Sequence, residues 1–392
     1  WDWLLVVLGL LTAFYYYLSW NLNHWKSLGV YTLPGALPGV GHLWDTLLFR
    51  KGGPWISCQI YHKTKGQPAV GFFTFRQPVL LLRDPDLIQV VLIKEFSSFH
   101  DNAPEVDEEV DPYAGRNPFF VQGQRWKTLR QTLTPAFSPA RMKVVFPLLQ
   151  SVCQEFNNYI KKHLNEEVNV NHVTGLFTSE VVAKCAFGLD GNAFHDPNAP
   201  FYQNGRKLWD GSINNPFLLF VMFFFPSINK ILKKGFFPKE TLLFFENTIK
   251  QAIDYREKNP DKVSDSDYLQ FLINVKNKKE FGFIDVLAQC LTFFTDGFET
   301  SSVTASFVLY ELTMNPEIQK AVREEVVGMD SFSYETISAL PLLDRVIQET
   351  LRKYSIFALA KACTKDFTLE ANGQSFPLRK GDHVWVPVYG IH

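Results

Sequence analysis

The chain has 392 residues, of which 46% are hydrophobic and 15% aromatic, and its formal net charge at pH 7 is −1. This composition excludes a disordered chain, and the near-zero charge argues against a nucleic-acid binder. The length allows a large core, in one large domain or two. Five scattered cysteines without CxxC spacing fit a reducing compartment and give no zinc site; they are Cys58, Cys153, Cys185, Cys290 and Cys363.

The first predicted element is an apolar helix at the N-terminus. Residues Trp3 to Trp20 carry no charge, have aromatic residues at both ends and are followed by His24 and Lys26. A helix of this length measures about 27 Å, which just spans a bilayer core. A cleaved signal peptide is the alternative. Because no small-residue cleavage site follows, the pattern favours a retained anchor over residues 1–20, with the bulk of the protein in the cytosol.

Residues 21–44 are rich in proline and glycine, and those between Tyr31 and Trp44 forbid regular helix there and predict a stiff hinge. Further along, residues 68–92 predict two β-strands joined by a turn at Gln77-Pro78 and followed by a helix that Asp84-Pro85 opens. Helical periodicity dominates from Gln122 to Leu351. Late strands are predicted at residues 368–369 and 382–388. The predicted fold class is mainly α with a smaller β region, as one domain over residues 45–392 behind one anchor.

A second apolar stretch lies between Asn215 and Ile228. Its uninterrupted part, between Pro216 and Pro226, is too short to span a membrane. Two interpretations stay open. The stretch is either buried core or a shallow contact with the membrane that the N-terminal helix crosses.

The longest predicted helix runs from Ile284 to Met314, without proline and with Gly297 as its only breaker. It would measure about 46 Å, and its apolar composition places it in the middle of a domain. Its centre is polar, with Asp296, Glu299 and Thr300 on one face.

The Thr300 hydroxyl can donate to the carbonyl of residue 296, which bends helices, and Gly297 then permits a close approach to that turn. Such a turn often marks a functional site. A buried polar patch with all its hydrogen bonds satisfied is the alternative, and this stretch alone favours it.

Two further motifs carry charge. Trp126 and Arg130 share one helical face and could hold a flat anionic ligand. The stretch around them has five cations and no acid, which suits either an acidic partner or a solvated helix; these are Arg125, Lys127, Arg130, Arg141 and Lys143. Glu349 and Arg352 form either a surface ion pair or, given their apolar neighbours, a buried pair that needs a third partner.

Three motifs therefore follow one another in a fixed order: Trp126-x-x-x-Arg130, Gly297-Phe-Glu299-Thr300 and Glu349-x-x-Arg352. Behind an N-terminal anchor and a proline-rich hinge, this order resembles the microsomal cytochrome P450 family, the haem-thiolate monooxygenases. The segments "LTPAFSPARMK", "TDGFETSS" and "ETLRKY" are similar to the branch that includes insect xenobiotic-metabolising members. The resemblance covers nearly the whole chain after the anchor.

The resemblance implies a haem b cofactor (iron protoporphyrin IX) and assigns roles to its neighbours. Trp126 and Arg130 match the pair that contacts a haem propionate, and Lys361 stands where an arginine usually binds a propionate. Glu299 and Thr300 match the acid–alcohol pair beside bound dioxygen.

Three other positions take roles from the same resemblance. Gly297 belongs to the cofactor-facing turn, and Asp296 replaces the usual small residue before it, which puts a charge near the oxygen site. Glu349 and Arg352 match the buried pair that braces the fold near the haem.

The resemblance also implies partners and a location. An NADPH-dependent flavoprotein reductase would dock on the basic stretch, and a small haem electron-transfer protein is a further candidate donor. Phe217 to Phe225 match the loop that touches the lipid bilayer and lines the entrance for small lipophilic substrates. The expected location is the endoplasmic reticulum membrane, with a single-pass anchor and a cytosolic catalytic domain.

One departure concerns the iron. The family's ligand is a cysteine in a Phe-x-x-Gly-x-x-x-Cys-x-Gly loop, and the chain to His392 contains no such loop. None of the five cysteines has that context, so the axial ligand is expected beyond the end of this chain. The alternative hypothesis is a truncated, haem-free membrane protein without catalytic activity.

Overall fold

The structure is a computed structural model that describes residues 1–48, 50, 52–213, 233, 235–262, 266–277, 281–355 and 359–392. By internal contacts the chain forms two compact units. The first unit combines Trp1–Pro104 with Ser355–His392, and the second is Glu105–Tyr354. The predicted division into an anchor, a hinge and a domain over residues 45–392 stays a prediction.

The helices in chain order are α1 Asp2–Ser19, α2 His24–Ser27, α3 Trp44–Leu47, α4 Gly53–Lys63, α5 Pro85–Gln89, α6 Gly123–Leu133, α7 Pro139–Lys162, α8 Val170–Phe187, α9 Pro200–Ile213, α10 Lys239–Lys258, α11 Tyr268–Lys276, α12 Phe283–Met314, α13 Pro316–Val327, α14 Tyr334–Ser338, α15 Pro341–Lys353 and α16 Val388–Ile391. The strands are β1 Ala69–Thr74, β2 Gln77–Leu82, β3 Leu359–Ala362, β4 Phe367–Ala371, β5 Gln374–Leu378 and β6 His383–Val386. The predicted class, mainly α with a smaller β region, is confirmed.

The first unit contains a four-stranded sheet in the order β1-β2-β6-β3 and a separate β4–β5 hairpin. β1 and β2 pair antiparallel from Ala69↔Leu82 to Thr74↔Gln77, whereas β2 and β6 run parallel. Trp25 fills the core of this unit and is fully buried, with its indole N–H donating to the Phe72 carbonyl at 3.1 Å. The sheet therefore depends on a side chain from the segment just after α1.

The two early strands are confirmed, but the predicted turn at Gln77-Pro78 is wrong. The turn lies at Phe75 and Arg76, with Phe75 in the left-handed region at φ 55°. Pro78 instead sits in β2, opposite Phe73. Asp84 caps α5 as predicted, since its Oδ1 accepts from the Asp86 amide at 2.8 Å.

The proline- and glycine-rich segment follows strand β1. The Leu33 amide donates to the Gly71 carbonyl, and the Gly71 amide donates to the Tyr31 carbonyl, each at 2.9 Å. A Cβ at Gly71 would collide with the Trp25 ring. Within the first unit, this segment is therefore attached to the sheet along its length by backbone hydrogen bonds.

The second unit is built around α12, against which α8, α9, α11 and α15 pack. The predicted long apolar helix is confirmed, with its bounds at Phe283 and Met314, and Pro316 opens the next helix as expected. Its N-terminus is capped because Asp285 accepts from the Gly282 amide at 2.8 Å. The largest buried side chains of this core are phenylalanines: Phe187, Phe245, Phe294 and Phe298.

α1 is the one helix among the described residues that is long and apolar enough to cross a bilayer by length and composition. Its mean hydropathy is 1.4, and none of its residues is buried. The second apolar stretch, Asn215 to Ile228 with the Phe217–Phe225 membrane loop, lies outside the described residues.

Candidate active site

The polar turn of α12 forms the centre of the candidate site. The Thr300 hydroxyl donates to the Asp296 carbonyl at 2.5 Å, as the sequence predicted. The helix is nevertheless continuous from Phe283 to Met314. Because the hydroxyl proton is committed to the carbonyl, the Thr300 oxygen is free to accept a hydrogen bond from a ligand or from water.

Asp296 lies on the same turn, and water reaches its side chain. Its carboxylate accepts a hydrogen bond from the Asn117 amide, whereas the Thr295 hydroxyl, 3.5 Å away, donates its proton to the Leu291 carbonyl at 2.8 Å. Burial raises the pKa of Asp296 to about 6, and the bond from Asn117 opposes this shift. The side chain is nevertheless exposed, so the protein around Asp296 raises the pKa without enclosing the carboxylate.

Glu299 is paired with a cation that the sequence did not suggest. Its Oε2 lies 3.7 Å from Nη1 of Arg206 on α9, and both side chains are partly buried. Gly205 explains how α9 comes so near, because a Cβ there would lie 2.8 Å from the Phe294 ring. No short-range pattern links residues 206 and 299, although a glycine inside an amphipathic helix does indicate close packing.

Gly297 of α12 packs toward α8. Its Cβ position faces Val182 of α8 at 3.4 Å, an ordinary packing distance, with Phe293 next at 4.0 Å. The described contacts of this glycine therefore belong to the α8–α12 interface. The close approach of a cofactor at Gly297 stays a prediction without a described contact to support it.

Trp126 and Arg130 lie one turn apart on α6, with the indole half-buried and the guanidinium exposed. A 3₁₀ turn, Ala114–Arg116, comes shortly before α6 and is attached to α12. Arg116 pairs with Asp285 at 2.9 Å, and its carbonyl accepts from Gln289 Nε2 at 2.8 Å. The start of α6 is thereby connected to the helix that carries the polar turn.

The basic stretch around α6 has acidic partners that are distant in the sequence. Arg125 pairs with Glu108, and Lys143 pairs with Glu335. Arg141 donates to the Asp267 carbonyl at 2.8 Å. The stretch itself contains no acid, and tertiary packing brings acids from elsewhere in the chain to two of its cations.

Glu349 and Arg352 form the predicted ion pair, but it is not buried. The two bonds, from Arg352 Nε and Nη2 to Glu349, measure 2.7 and 2.6 Å. The side chains are 60% and 46% exposed, so the predicted burial is wrong in this structure. α15 turns Thr350 toward the interior, where it is buried, and the ion pair projects to the opposite side.

Lys361 belongs to strand β3 of the first unit. Its ammonium donates to the His100 carbonyl at 3.3 Å and to Asn102 Oδ1 at 2.9 Å. Burial lowers the pKa of Lys361, which the nearby Asp101 partly opposes. Two neutral acceptors satisfy part of the ammonium, which leaves one N–H for an anionic group.

A haem would need carboxylate-binding groups, a polar distal turn and a thiolate from the protein. The residues that the structure describes offer the first two. The indole–guanidinium pair of α6 and Lys361 are suited to carboxylates, and the α12 turn is suited to a bound oxygen molecule and water. A thiolate is the third requirement. Burial raises the pKa of the thiols of Cys185 (to about 12), Cys290 and Cys363 (to about 11).

The other two cysteines do not change this conclusion. Burial also raises the pKa of Cys153, and Cys58 is a buried thiol of the first unit. Cys363 already donates its S–H to the Lys365 carbonyl at 2.8 Å. The α6 pair and Lys361 each have the chemistry to bind a haem propionate, whereas the four thiols whose pKa is raised, those of Cys153, Cys185, Cys290 and Cys363, lack thiolate character.

Comparison with known proteins shows which family the chain is similar to. The family model described as "Cytochrome P450" matches residues 33–392. The chain is 32% identical over 421 aligned positions to cytochrome P450 6k1 of Blattella germanica, which covers all of this chain and 79% of that protein. It is 31% identical to cytochrome P450 6A1 of Musca domestica, over 100% of this chain and 80% of that protein. The probable cytochrome P450 9f2 of Drosophila melanogaster is 32% identical, over 97% of this chain and 78% of its own length.

Proposed function

Since this chain belongs to the cytochrome P450 family of haem-dependent monooxygenases, we propose that it inserts one oxygen atom of O2 into small lipophilic substrates. Xenobiotics or endogenous lipids and hormones are the proposed substrate range. Electrons come from NADPH through a flavoprotein reductase, with a small haem electron-transfer protein as a further donor. The observation that carries the proposal is the solvent-accessible polar turn at Asp296–Thr300 within an otherwise apolar helix.

When bound, the haem supplies the iron at which dioxygen is reduced and its O–O bond is cleaved. The chain's own contribution is to deliver protons to that place. The Thr300 oxygen can accept a hydrogen bond and so hold a water molecule, and Glu299 can exchange protons with that water. Arg206 keeps the Glu299 carboxylate on α12 turned toward α9.

Trp126, Arg130 and Lys361 are the proposed contacts of the haem propionates. Arg130 offers a planar fork that matches a carboxylate in two bonds, and the adjacent indole offers a flat surface and an N–H. Lys361 keeps the positive charge but lacks the fork, so its contact is a point charge only. Glu349 and Arg352 are proposed to stiffen α15, whose helix they link through an i,i+3 pair.

A location at the endoplasmic reticulum membrane is proposed on the basis of α1, none of whose residues is buried. The reductase would approach the basic stretch of α6 and α7. Lys127 and Arg130 are exposed there. Arg125 and Lys143 already pair with acids, so they would contribute less attraction than isolated cations.

The raised pKa values of the thiols of Cys153, Cys185, Cys290 and Cys363 favour a second candidate, a haem-free membrane protein without catalytic activity. The two candidates differ in one measurable property. The purified chain, expressed with haem supplied and then reduced, is expected to show a carbon-monoxide difference band if it is a haem-thiolate protein. The haem-to-protein ratio is measured in parallel.

If the chain binds no haem and shows no band while remaining folded by circular dichroism, the haem-free candidate replaces the monooxygenase for this polypeptide. If a band appears, replacing each cysteine by serine identifies the ligand. Loss of the band in one variant alone would show that a thiol now buried and protonated becomes the thiolate on binding haem.

A further inference from the structure

A cavity of about 470 Å³ lies in the second unit. Its walls come from α7, from the end of α8, from α10 and from the residues just before α11. Among the described residues that line it, none belongs to the polar turn of α12 or to the Trp126–Arg130 pair. Small-molecule sites typically measure about 300–1,000 Å³, so this cavity is large enough for a ligand that the proposed function does not require.

Apolar side chains form part of the wall. Leu148 of α7 and Leu189 just after α8 are half-buried, and Ala252 of α10 is buried. Tyr255 also lines the cavity and is 56% exposed, so solvent reaches the cavity on its side. Hydrocarbon placed against these side chains would leave water, which favours a ligand with an apolar body.

A buried ion pair forms the polar part of the wall. The side chains of Arg256 and Asp267 are 9% and 7% exposed, and Arg256 Nη1 donates to Asp267 Oδ1 at 2.8 Å. The Gln270 amide donates to the same oxygen at 2.9 Å. No residue that the structure describes donates to the second oxygen, Oδ2. A buried carboxylate oxygen without a donor is costly, so a ligand that donates to Oδ2 would supply a hydrogen bond that the site lacks.

Glycine at position 188 keeps this oxygen accessible. Gly188 lines the cavity, is exposed and ends α8 in the left-handed region at φ 64°. A Cβ there would lie 2.6 Å from Asp267 Oδ2 and 2.8 Å from Arg256 Nη2. Any side chain at this position would therefore cover the ion pair, whereas glycine leaves Oδ2 within reach of a ligand in the cavity.

The surrounding charges restrict the class of donor. Arg141 Nη2 donates to the backbone carbonyl of Asp267 at 2.8 Å, so two guanidinium groups border this one acid. An ammonium ligand would add a third positive charge, and an anionic ligand would face the carboxylate oxygen that lacks a donor. A neutral hydroxyl donates a hydrogen bond without adding charge, so it is the donor that suits Oδ2.

We propose that this cavity binds a neutral apolar molecule through a hydroxyl group, which donates a hydrogen bond to Asp267 Oδ2. The apolar body lies against Leu148, Leu189 and Ala252. Arg256 fixes the orientation of the carboxylate through Oδ1, so that Oδ2 stays available to the ligand. The site involves no haem, and it is therefore independent of the proposed monooxygenase function.

The experiment compares probes that differ only in their polar group. The full chain in lipid nanodiscs is dialysed to equilibrium against 4-butylbenzyl alcohol or against its methyl ether, which has no donor, and the uptake by empty nanodiscs is subtracted. The charged analogues are 4-butylbenzylamine and 4-butylbenzoate. Circular dichroism checks that each variant is folded.

Three variants locate the bound probe. Thr248→Phe fills the cavity from α10 and leaves both members of the ion pair in place. Asn247→Phe adds the same ring at the neighbouring exposed position, which does not line the cavity, and is the matched control. Asp267→Asn replaces Oδ2 by an NH2 group and keeps an acceptor for the Gln270 amide at the start of α11.

The wild-type chain is expected to bind the alcohol about tenfold more tightly than the ether, because the alcohol gains one hydrogen bond to a charged acceptor. Both charged analogues should bind more weakly than the alcohol. Thr248→Phe should weaken the binding of the alcohol and the ether by about tenfold or more, since the ring occupies their space. Asn247→Phe should match the wild type, and Asp267→Asn should bind both probes equally.

Equal affinities for the alcohol and the ether in the wild type overturn the proposal, as does alcohol binding that Thr248→Phe leaves unchanged, because the probe then lies elsewhere. Tighter binding of the amine or the benzoate overturns the neutral ligand class. If Thr248→Phe does not fold, the loss or retention of the alcohol preference in Asp267→Asn decides. A chain that shows these differences but no carbon-monoxide band retains this site and loses the monooxygenase assignment.

Discussion

At the scale of single residues, the site depends on where hydroxyl and carboxyl protons are committed. Thr300 gives its proton to the Asp296 carbonyl, so it acts toward a ligand as an acceptor. Glu299 is held by Arg206, and Asp296 accepts a hydrogen bond from the neutral Asn117 amide. The three polar residues of this turn therefore differ in charge and in their hydrogen-bond partners.

Thr300→Ala is expected to lower the ratio of product formed to oxygen consumed by about tenfold or more in the haem-loaded enzyme, because the water that relays protons loses its holder. The ratio is measured from substrate product and oxygen uptake in the same reaction. Thr300→Ser keeps the hydroxyl and is expected to retain most of the coupling. An unchanged ratio in the alanine variant would remove Thr300 from the proton path.

At the scale of elements, the α9–α12 contact is the one that brings Arg206 to Glu299. A Cβ at Gly205 would lie 2.8 Å from Phe294 and 3.1 Å from Phe298, both fully buried. At Gly297 a Cβ would meet Val182 at an ordinary 3.4 Å. The close packing of α9 against α12 therefore requires glycine at position 205, whereas the packing of α8 against α12 does not require it at position 297.

Gly205→Ala is therefore expected to destabilise the second unit by about 1–3 kcal/mol through overpacking, less a gain of about 1 kcal/mol from better helix propensity. Gly297→Ala, the matched control, gains the same propensity without a collision and is expected to be neutral or slightly stabilising. Urea midpoints of the two variants test this difference. Equal midpoints would show that α9 shifts freely against α12.

At the scale of the whole molecule, α1 stands out because it is an apolar helix without a single buried residue. Its leucines before Thr12 are about half to two-thirds exposed, for example Leu8 at 62% and Leu11 at 59%. Its last turn contacts the first unit, where the Arg76 guanidinium stacks on Tyr17 at 3.8 Å and the Gly39 amide donates to the Leu18 carbonyl at 3.0 Å. Lipid is the environment that would satisfy the remaining surface of α1.

Replacing Leu8 and Leu11 by lysine should release the chain from membranes, since each charge at a helix centre costs about 2.5–3.5 kcal/mol on insertion. Alkaline carbonate extraction followed by sedimentation measures the released fraction. Val327→Lys, at a residue that is 78% exposed on α13, is the control and should stay in the membrane pellet. Retention of the double variant in the pellet would show that α1 is not the anchor.

The parts of the fold that depend on neighbouring residues were predictable. The extent of α12 follows from a long apolar stretch free of proline, and the cap of α5 follows from Asp84 before Pro85. The Thr300 hydrogen bond spans four residues and was predicted for the same reason. Strands β3 and β5 were missed because each is only four or five residues long, and each pairs with a strand that the sequence pattern does not identify as its partner.

By itself, the sequence determined the helical class, the polar turn inside an apolar helix and the order of motifs, because these depend on local backbone preferences and spacing. Only the tertiary structure decided which charges meet. Arg206 reaches Glu299 across 93 positions of sequence, Glu108 and Glu335 reach the basic stretch, and the Glu349–Arg352 pair stays exposed. Ion pairing and burial depend on how whole helices pack, and the free energy of that packing is shared among many distant side chains that no local pattern encodes.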